Sequence, residues 1–398
     1  MRLFKKWQRT AVCLVALSLI SSLPLRPIHA RALEYAVIDL DSLGGLQSKA
    51  YSLNNAGSIV GDSTVSAGTV SANPFAYASG QLTNIGTFGG DSGTAFALNT
   101  IGYAAGFAAT GVNEKHAFIW SDIFNKLDIG VLPGGTFASA YDINDANQVV
   151  GESEIAPLQD RGFVWQKATG MQTINSFNGT GSSGANGINN DGFIVGWAST
   201  AAGATHAYVL RNGVMTDLGT FGGTLSVAQK INDIGEVVGF AGIPSSTANK
   251  PYHAFHWSDA GGLQDLGTLG GGTRSIAYDI NNKSIIVGQS ETVPGTSHAF
   301  IYDSTHGMRD LNDLAAGSGW TLQEARGIND KGQIVGYGIN PSGLTHGFLL
   351  ISLIDEIPDP APPPCFVAPP AQPIVLPQPP IVFKTAQPKK PNAPTGHR

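Results

Sequence analysis

Residues Ile328–Gly336 read "INDKGQIVG", and this phrase decides the fold because variants of it stand seven times in the chain. The other copies are "LNNAGSIVG" from Leu53, "LNTIGYAAG" from Leu98, "INDANQVVG" from Ile143, "INNDGFIVG" from Ile188, "INDIGEVVG" from Ile231 and "INNKSIIVG" from Ile280. Successive copies are 45, 45, 45, 43, 49 and 48 residues apart, which is the regularity of a repeat array. Each carries an asparagine in second place: Asn54, Asn99, Asn144, Asn189, Asn232, Asn281 and Asn329. Asparagine side chains close turns, and the glycine that usually follows tolerates positive φ. Asn147 and Ser284 stand at that glycine position in two units.

Working outward, each unit reads as four short strands. The first runs into the Leu/Ile-Asn pair, as in "SIAYDIN", and the second is the "xIVG" segment beyond the turn. A glycine recurring inside a strand points to a bulge or to a close approach of another backbone. The third strand is "HAFIW"-like, and the fourth is "MTDLG"-like, leading through "GTFGG" or "GTLGG" into the next unit. Four strands in about 45 residues is the signature of a propeller blade. A parallel β-helix is the runner-up, but its coils are shorter and need no regular hairpin turns.

The two ends of the array share one unit. "YAVIDLDSLGG" from Tyr35 resembles a fourth strand and exit loop with no blade before it, while the last unit ends at "HGFLLISLIDE" without a fourth strand. The expectation is an all-β fold: a seven-bladed β-propeller of four-stranded antiparallel blades over residues 33–359, closed by pairing the N-terminal strand, Tyr35–Leu40, with the last blade.

Residues 1–32 read as a signal peptide, with a basic start (Arg2, Lys5, Lys6, Arg9), an apolar stretch from Ala11 to Leu23 and an Ala30-Arg31-Ala32 cleavage site. The apolar stretch is short for a membrane span, so the chain is expected to be secreted, extracellular or periplasmic, and not membrane-spanning after cleavage. Without the leader, 17 Lys and Arg face 29 Asp and Glu, a balance that argues against nucleic acid or anionic lipid as partner. Cys13 would leave with the leader, and Cys365 alone allows only an intermolecular disulfide or a free thiol. Residues 360–398 form a proline-rich tail expected to be disordered; 14 of the 23 prolines lie after Ile357. The protein is expected to be a monomer.

Five of the nine histidines fall in the repeated tripeptide, and aspartates follow four of them 11 or 12 residues later. The pairs are His116 with Asp128, His206 with Asp217, His253 with Asp265 and His298 with Asp310; the closure supplies Asp39 for His346. The first unit offers Asn73 and Asn84 instead, and the third offers Gly162 and Thr173, so both partners change together. This predicts structural hydrogen-bonded pairs between third and fourth strands rather than a metal-binding ring. His256 and His306, outside the tripeptide, are expected on exposed positions. "GTLGGG" at Gly267–Gly272 recurs as an exit turn with no helix after it, so it is not read as a phosphate loop. No catalytic, cofactor-binding or metal-binding residues are assigned.

"HAFIW", "MTDLGTFGGTLSVAQKINDIGEVVGFA" and "LQDLGTLGGGTRSIAYDIN" resemble the HAF-repeat family of extracellular bacterial proteins over essentially the whole exported domain. The resemblance implies an exported, propeller-like repeat protein and no particular chemistry. Individual function should then lie in residues that do not repeat. The loops beginning at Asp62, Phe107, Glu152 and Phe240 differ most and are expected on one rim. The expected role is a non-catalytic binding or scaffold propeller for a protein or glycan, without cofactor. The alternative is an enzyme acting on an extracellular carbohydrate, which a cluster of ionisable residues on one or two blades would favour.

Overall fold

The computed structural model describes residues 34–353, apart from Asn113 and 246–249. The signal peptide, the proline-rich tail and Cys365 lie outside the described residues. The described chain forms seven four-stranded antiparallel sheets arranged as a seven-bladed β-propeller. Blades 1 to 6 span residues 48–84, 89–130, 138–174, 183–219, 226–265 and 275–310. Blade 7 joins 321–352 to Tyr35–Asp39, which pairs antiparallel with Thr345–Ser352, from Tyr35 opposite Ser352 to Asp39 opposite Phe348. The fourth strand of the last blade therefore comes from the other end of the array, and the ring shuts. The one helical turn among the described residues, Leu311–Leu314, follows blade 6 and is capped by the Asp310 side chain accepting from the Asn312 amide.

The paired apolar residues of each "IVG" segment follow from this packing. Neighbouring residues on a strand point to opposite faces, and each blade is covered on both faces by its neighbours. Val60 packs toward blade 2 while Ile59 packs toward blade 7. Val149 and Val150 divide in the same way between blades 2 and 4. One apolar cluster fills each of the seven blade–blade contacts. The aromatic residue of the third strand (Phe75, Phe118, Phe163, Tyr208, Phe255, Phe300 or Phe348) is fully buried in every blade.

The recurrent second-strand glycine sits where another backbone crowds it. A Cβ on Gly151 would lie 1.9 Å from the Ser139 carbonyl oxygen and 2.9 Å from the Phe163 ring, and Gly61 and Gly288 are confined alike. Each of these glycines pairs with a fully buried alanine of the first strand, Ala50, Ala95, Ala140, Ala185, Ala228, Ala277 or Ala325. The ladder then skips one residue, leaving a β-bulge. In the turn beyond, Asn147 and Ser284 adopt φ of 58° and 59°, the left-handed conformation that glycine takes in the other copies.

Gly151→Ala should cost about 2 kcal/mol or more in a denaturation experiment, through overpacking, whereas Gly111→Ala, which has open space around its Cβ, should be neutral. Deleting Tyr35–Asp39 should lower the melting temperature by on the order of 10 °C, because it strips a full ladder and leaves an open edge. An unchanged value would contradict closure by this strand.

Candidate functional site

The residue skipped at each bulge is turned toward the ring axis, since a bulge re-aims a side chain. These residues are Tyr51, Phe96, Tyr141, Asn186, Gln229, Tyr278 and Arg326, one per blade, and all seven line a single cavity of about 570 Å³. Glu152, Trp197 and Phe240, each directly after a second-strand glycine, share its wall with Thr205, Leu225 and Val227. Phe96 lies 5.5 Å from both the Tyr51 and Tyr141 rings, edge-on to each, and 6.0 Å from Phe107. The Arg326 guanidinium stacks 3.9 Å from the centre of the Tyr278 ring and 5.2 Å from that of Tyr51.

Ionic groups form the cavity floor. Lys230 of blade 5 reaches across blade 4, which carries only Gly187 at the matching position, and its Nζ lies 2.7 Å from Asp142 Oδ1 of blade 3. Asp142 Oδ2 accepts from the Ile188 amide at 2.9 Å, and Asp279 Oδ2 accepts from the Ile328 amide at 2.8 Å. Burial pushes the Asp279 carboxyl up to about 6 even though Lys230 pulls it down, and the nearby Asp142 and Asp279 carboxylates hold Lys230 protonated beyond its ordinary range. Lys230 and Asp279 also face a second, smaller space of about 160 Å³ at the turn end of the axis, so they partition the channel.

That smaller space is ringed by the repeat asparagines. Asn54 Nδ2 donates to the Asn99 carbonyl, Asn99 to Asn144, Asn144 to Asn189, Asn189 to Asn232, Asn232 to Asn281, Asn281 to Asn329, and Asn329 back to Asn54, all at 3.0–3.1 Å. The amide oxygens accept from backbone N–H groups of their own turns, as Asn54 does from Ala56 and Ser58. A second set lies one residue on, where backbone amides donate to the next blade's Asn or Asp side chain from Thr100 round to Asn55.

The histidines of the tripeptide stand away from the axis, between third and fourth strands. Their Nδ1 atoms lie 2.8 Å from Asp128 for His116, 2.8 Å from Asp217 for His206 and 2.9 Å from Asp265 for His253. His298 is 2.6 Å from Asp310, and His346 is 2.8 Å from Asp39. In the ladder the aspartate faces the aromatic residue, as Asp128 faces Phe118, so the histidine reaches it diagonally. The aspartate's Oδ1 also accepts from the backbone amide two residues on, for example Gly130 at 2.7 Å, which explains the "DxG" exit turn. Blade 1 substitutes an Asn73–Asn84 amide pair at 3.2 Å. In blade 3 the register places Arg161, not Gly162, at the histidine position, and its guanidinium donates to the Thr180 and Gly181 carbonyls. His306 is exposed in a turn beside Asp303, while His256 is half-buried on its strand with Nε2 3.4 Å from Glu236. Among the described residues, no group of three His, Cys, Asp or Glu side chains is placed to hold a metal.

Residues 129–208 and 219–342, running from the end of blade 2 through most of blade 7, match the family described as "Protein of unknown function (DUF3466)". The chain belongs to that family. No curated protein matches it. Among solved structures, TolB from Acinetobacter baumannii is similar at 12% identity and a TM-score of 0.40, covering 74% of this chain and 80% of TolB. Puromycin hydrolase is similar at 13% identity and a TM-score of 0.46, with 76% of this chain covered. A mutant of that hydrolase complexed with PGG gives 13% and 0.45. The DUF3466 chain spans about half the length of puromycin hydrolase, 51% of it.

Two features of this DUF3466 protein escaped the sequence reading. Asp62, Phe107, Glu152 and Phe240 were expected to open rim loops, but the second strands run on past glycine and these residues lie within them. The bulge residues carry a signal that comparison of the repeats exposes: a variable position lying between an invariant alanine and an invariant asparagine.

Double-mutant cycles should give the strongest coupling for His298–Asp310, about 1.5–3 kcal/mol, because the Asp310 side chain is only 17% exposed. The His206–Asp217 cycle should fall below about 1 kcal/mol, with Asp217 43% exposed. Since the Asp279 carboxyl titrates near 6 when folded and near 3.8 otherwise, the folded state binds its proton more tightly. Its ionisation therefore withdraws stability as pH rises from about 4 to 6. Asp279→Asn should gain in melting temperature relative to wild type between pH 4 and pH 7; a constant difference would contradict this.

Proposed function

We propose that this protein is an exported, non-catalytic binding propeller that takes a protein or glycan partner at the rim of its second-to-third-strand loops and seats part of that partner in the axial cavity. One observation carries the reading: the positions that change from repeat to repeat converge on one cavity, while the constant positions build the frame around it. A cavity of about 570 Å³ with aromatic faces and a few placed polar groups falls within the usual range of ligand sites. Its charged groups come from blades 3, 5, 6 and 7 (Glu152, Lys230, Asp279 and Arg326) rather than from one or two, which suits recognition better than acid–base catalysis. The signal-like N-terminus and the HAF-type tripeptides support export, and the proline-rich segment suits a spacer that holds the domain away from its anchorage.

A pull-down and a glycan-array screen with the propeller domain test the reading. Trp197→Ala and Phe240→Ala, both at the cavity wall, should weaken capture of the partner by about tenfold or more. Ile234→Ala, exposed in a turn at the opposite end, should leave capture unchanged. The reverse pattern would overturn the proposal.

A further inference from the structure

Among the described residues, the carboxylates around the axis have a cation supplied by the chain, with one exception. Asp142 and Asp279 have Lys230, and Glu324 has Arg326 at 3.2 Å. Asp62 accepts from Thr94 at 3.1 Å and feels both Lys49 and Arg326. Glu152 is the exception. Its Oε1 accepts from the Tyr141 hydroxyl at 2.5 Å, no ion pair to it is formed among the described residues, and its charged neighbour Asp160 is another carboxylate. Burial and Asp160 both push its carboxyl above the ordinary range.

Glu152 lines the axial cavity, and its other carboxylate oxygen lies beside Gly184 and the Trp197 indole. Gly184 stands where blades 1 and 2 carry Lys49 and Thr94, and the Trp197 indole fills the place its Cβ would take, with Nε1 2.4 Å and Glu152 Oε2 3.1 Å from that point. Around this point stand the half-buried rings of Trp197 and Tyr141, with Phe96 5.5 Å beyond Tyr141. A carboxylate drawn out of water and left without a counter-charge is costly, and a neutral polyol would not answer that charge. A cation would, and aromatic faces beside it would add cation–π attraction.

Resting on the axial-cavity reading above, we infer that Glu152, with Tyr141, Trp197 and Phe96, forms a subsite for a primary ammonium group carried by the partner. The group can belong to a lysine side chain or to an amino sugar; both present the same charge and the same three donors.

Calorimetric titration with two matched pairs of probes tests this. One pair is a blocked Gly-Lys-Gly peptide and its norleucine counterpart; the other is glucosamine and N-acetylglucosamine. The charged member of at least one pair should bind about tenfold or more tightly than its neutral mate, and the pair that discriminates identifies the source. Glu152→Gln should abolish the preference, Glu152→Asp should reduce it, and Tyr141→Phe, which keeps carboxylate and ring, should retain it. Melting temperatures establish that each variant is folded. Equal binding of charged and neutral probes, a preference that survives Glu152→Gln, or no binding of either charged probe would overturn the ammonium subsite. Neutral probes that bind and are lost in Trp197→Ala would do so while leaving the axial binding reading intact. Neutral probes indifferent to Trp197→Ala would count against both.

Discussion

The structure depends on a steric constraint, the absence of a side chain at the second-strand glycine. The first strand's carbonyl comes so close to this glycine that a Cβ would lie about 2 Å from it, in blade after blade. That approach is what permits the bulge beside the paired alanine. The bulge in turn releases one residue per blade from the alternation of the strand and directs it to the axis. Glycine, alanine and asparagine are therefore constant for geometric reasons, and the freed residue varies because nothing in the frame restrains it. The side chains that line the axial cavity stand where the fold makes no demand.

Closure is distributed over several layers. The seven asparagine amides join each blade to the next through a continuous circuit, with Asn329 of blade 7 returning to Asn54 of blade 1. The N-terminal strand completes blade 7 and brings Asp39 to His346. Asp142 and Lys230 reach over blade 4 and tie the floor of the cavity together. Each bond is modest by itself, but in a ring the loss of one contact is resisted by the others, so together they hold the frame around the cavity.

The sequence made the architecture legible because the same local chemistry is written seven times. Turn asparagines, strand pattern and split terminal unit all follow from period and residue type. Less could be read of the site. A glycine in "IVG" looks like a strand end, so Glu152 and Phe240 were placed in loops; only the pairing shows the strand continuing. Gly162 stands one residue past the histidine position that Arg161 fills, because blade 3 has no histidine to anchor the comparison and only alignment on Phe163 gives the register. The second partner of each asparagine lies a full repeat away, and Lys230 meets Asp142 from a blade that is not its neighbour. Such contacts leave no local trace in a sequence.

The central claim is that bulge residues face an accessible axis while their alanine neighbours are sealed in the blades. Thiol labelling tests it directly in a chain carrying Cys13→Ser and Cys365→Ser. Single cysteines introduced as Phe96→Cys and Gln229→Cys should react readily with a small methanethiosulfonate reagent, and Ala95→Cys and Ala228→Cys should resist until the protein unfolds. Reactive alanine positions beside protected bulge positions would contradict the account.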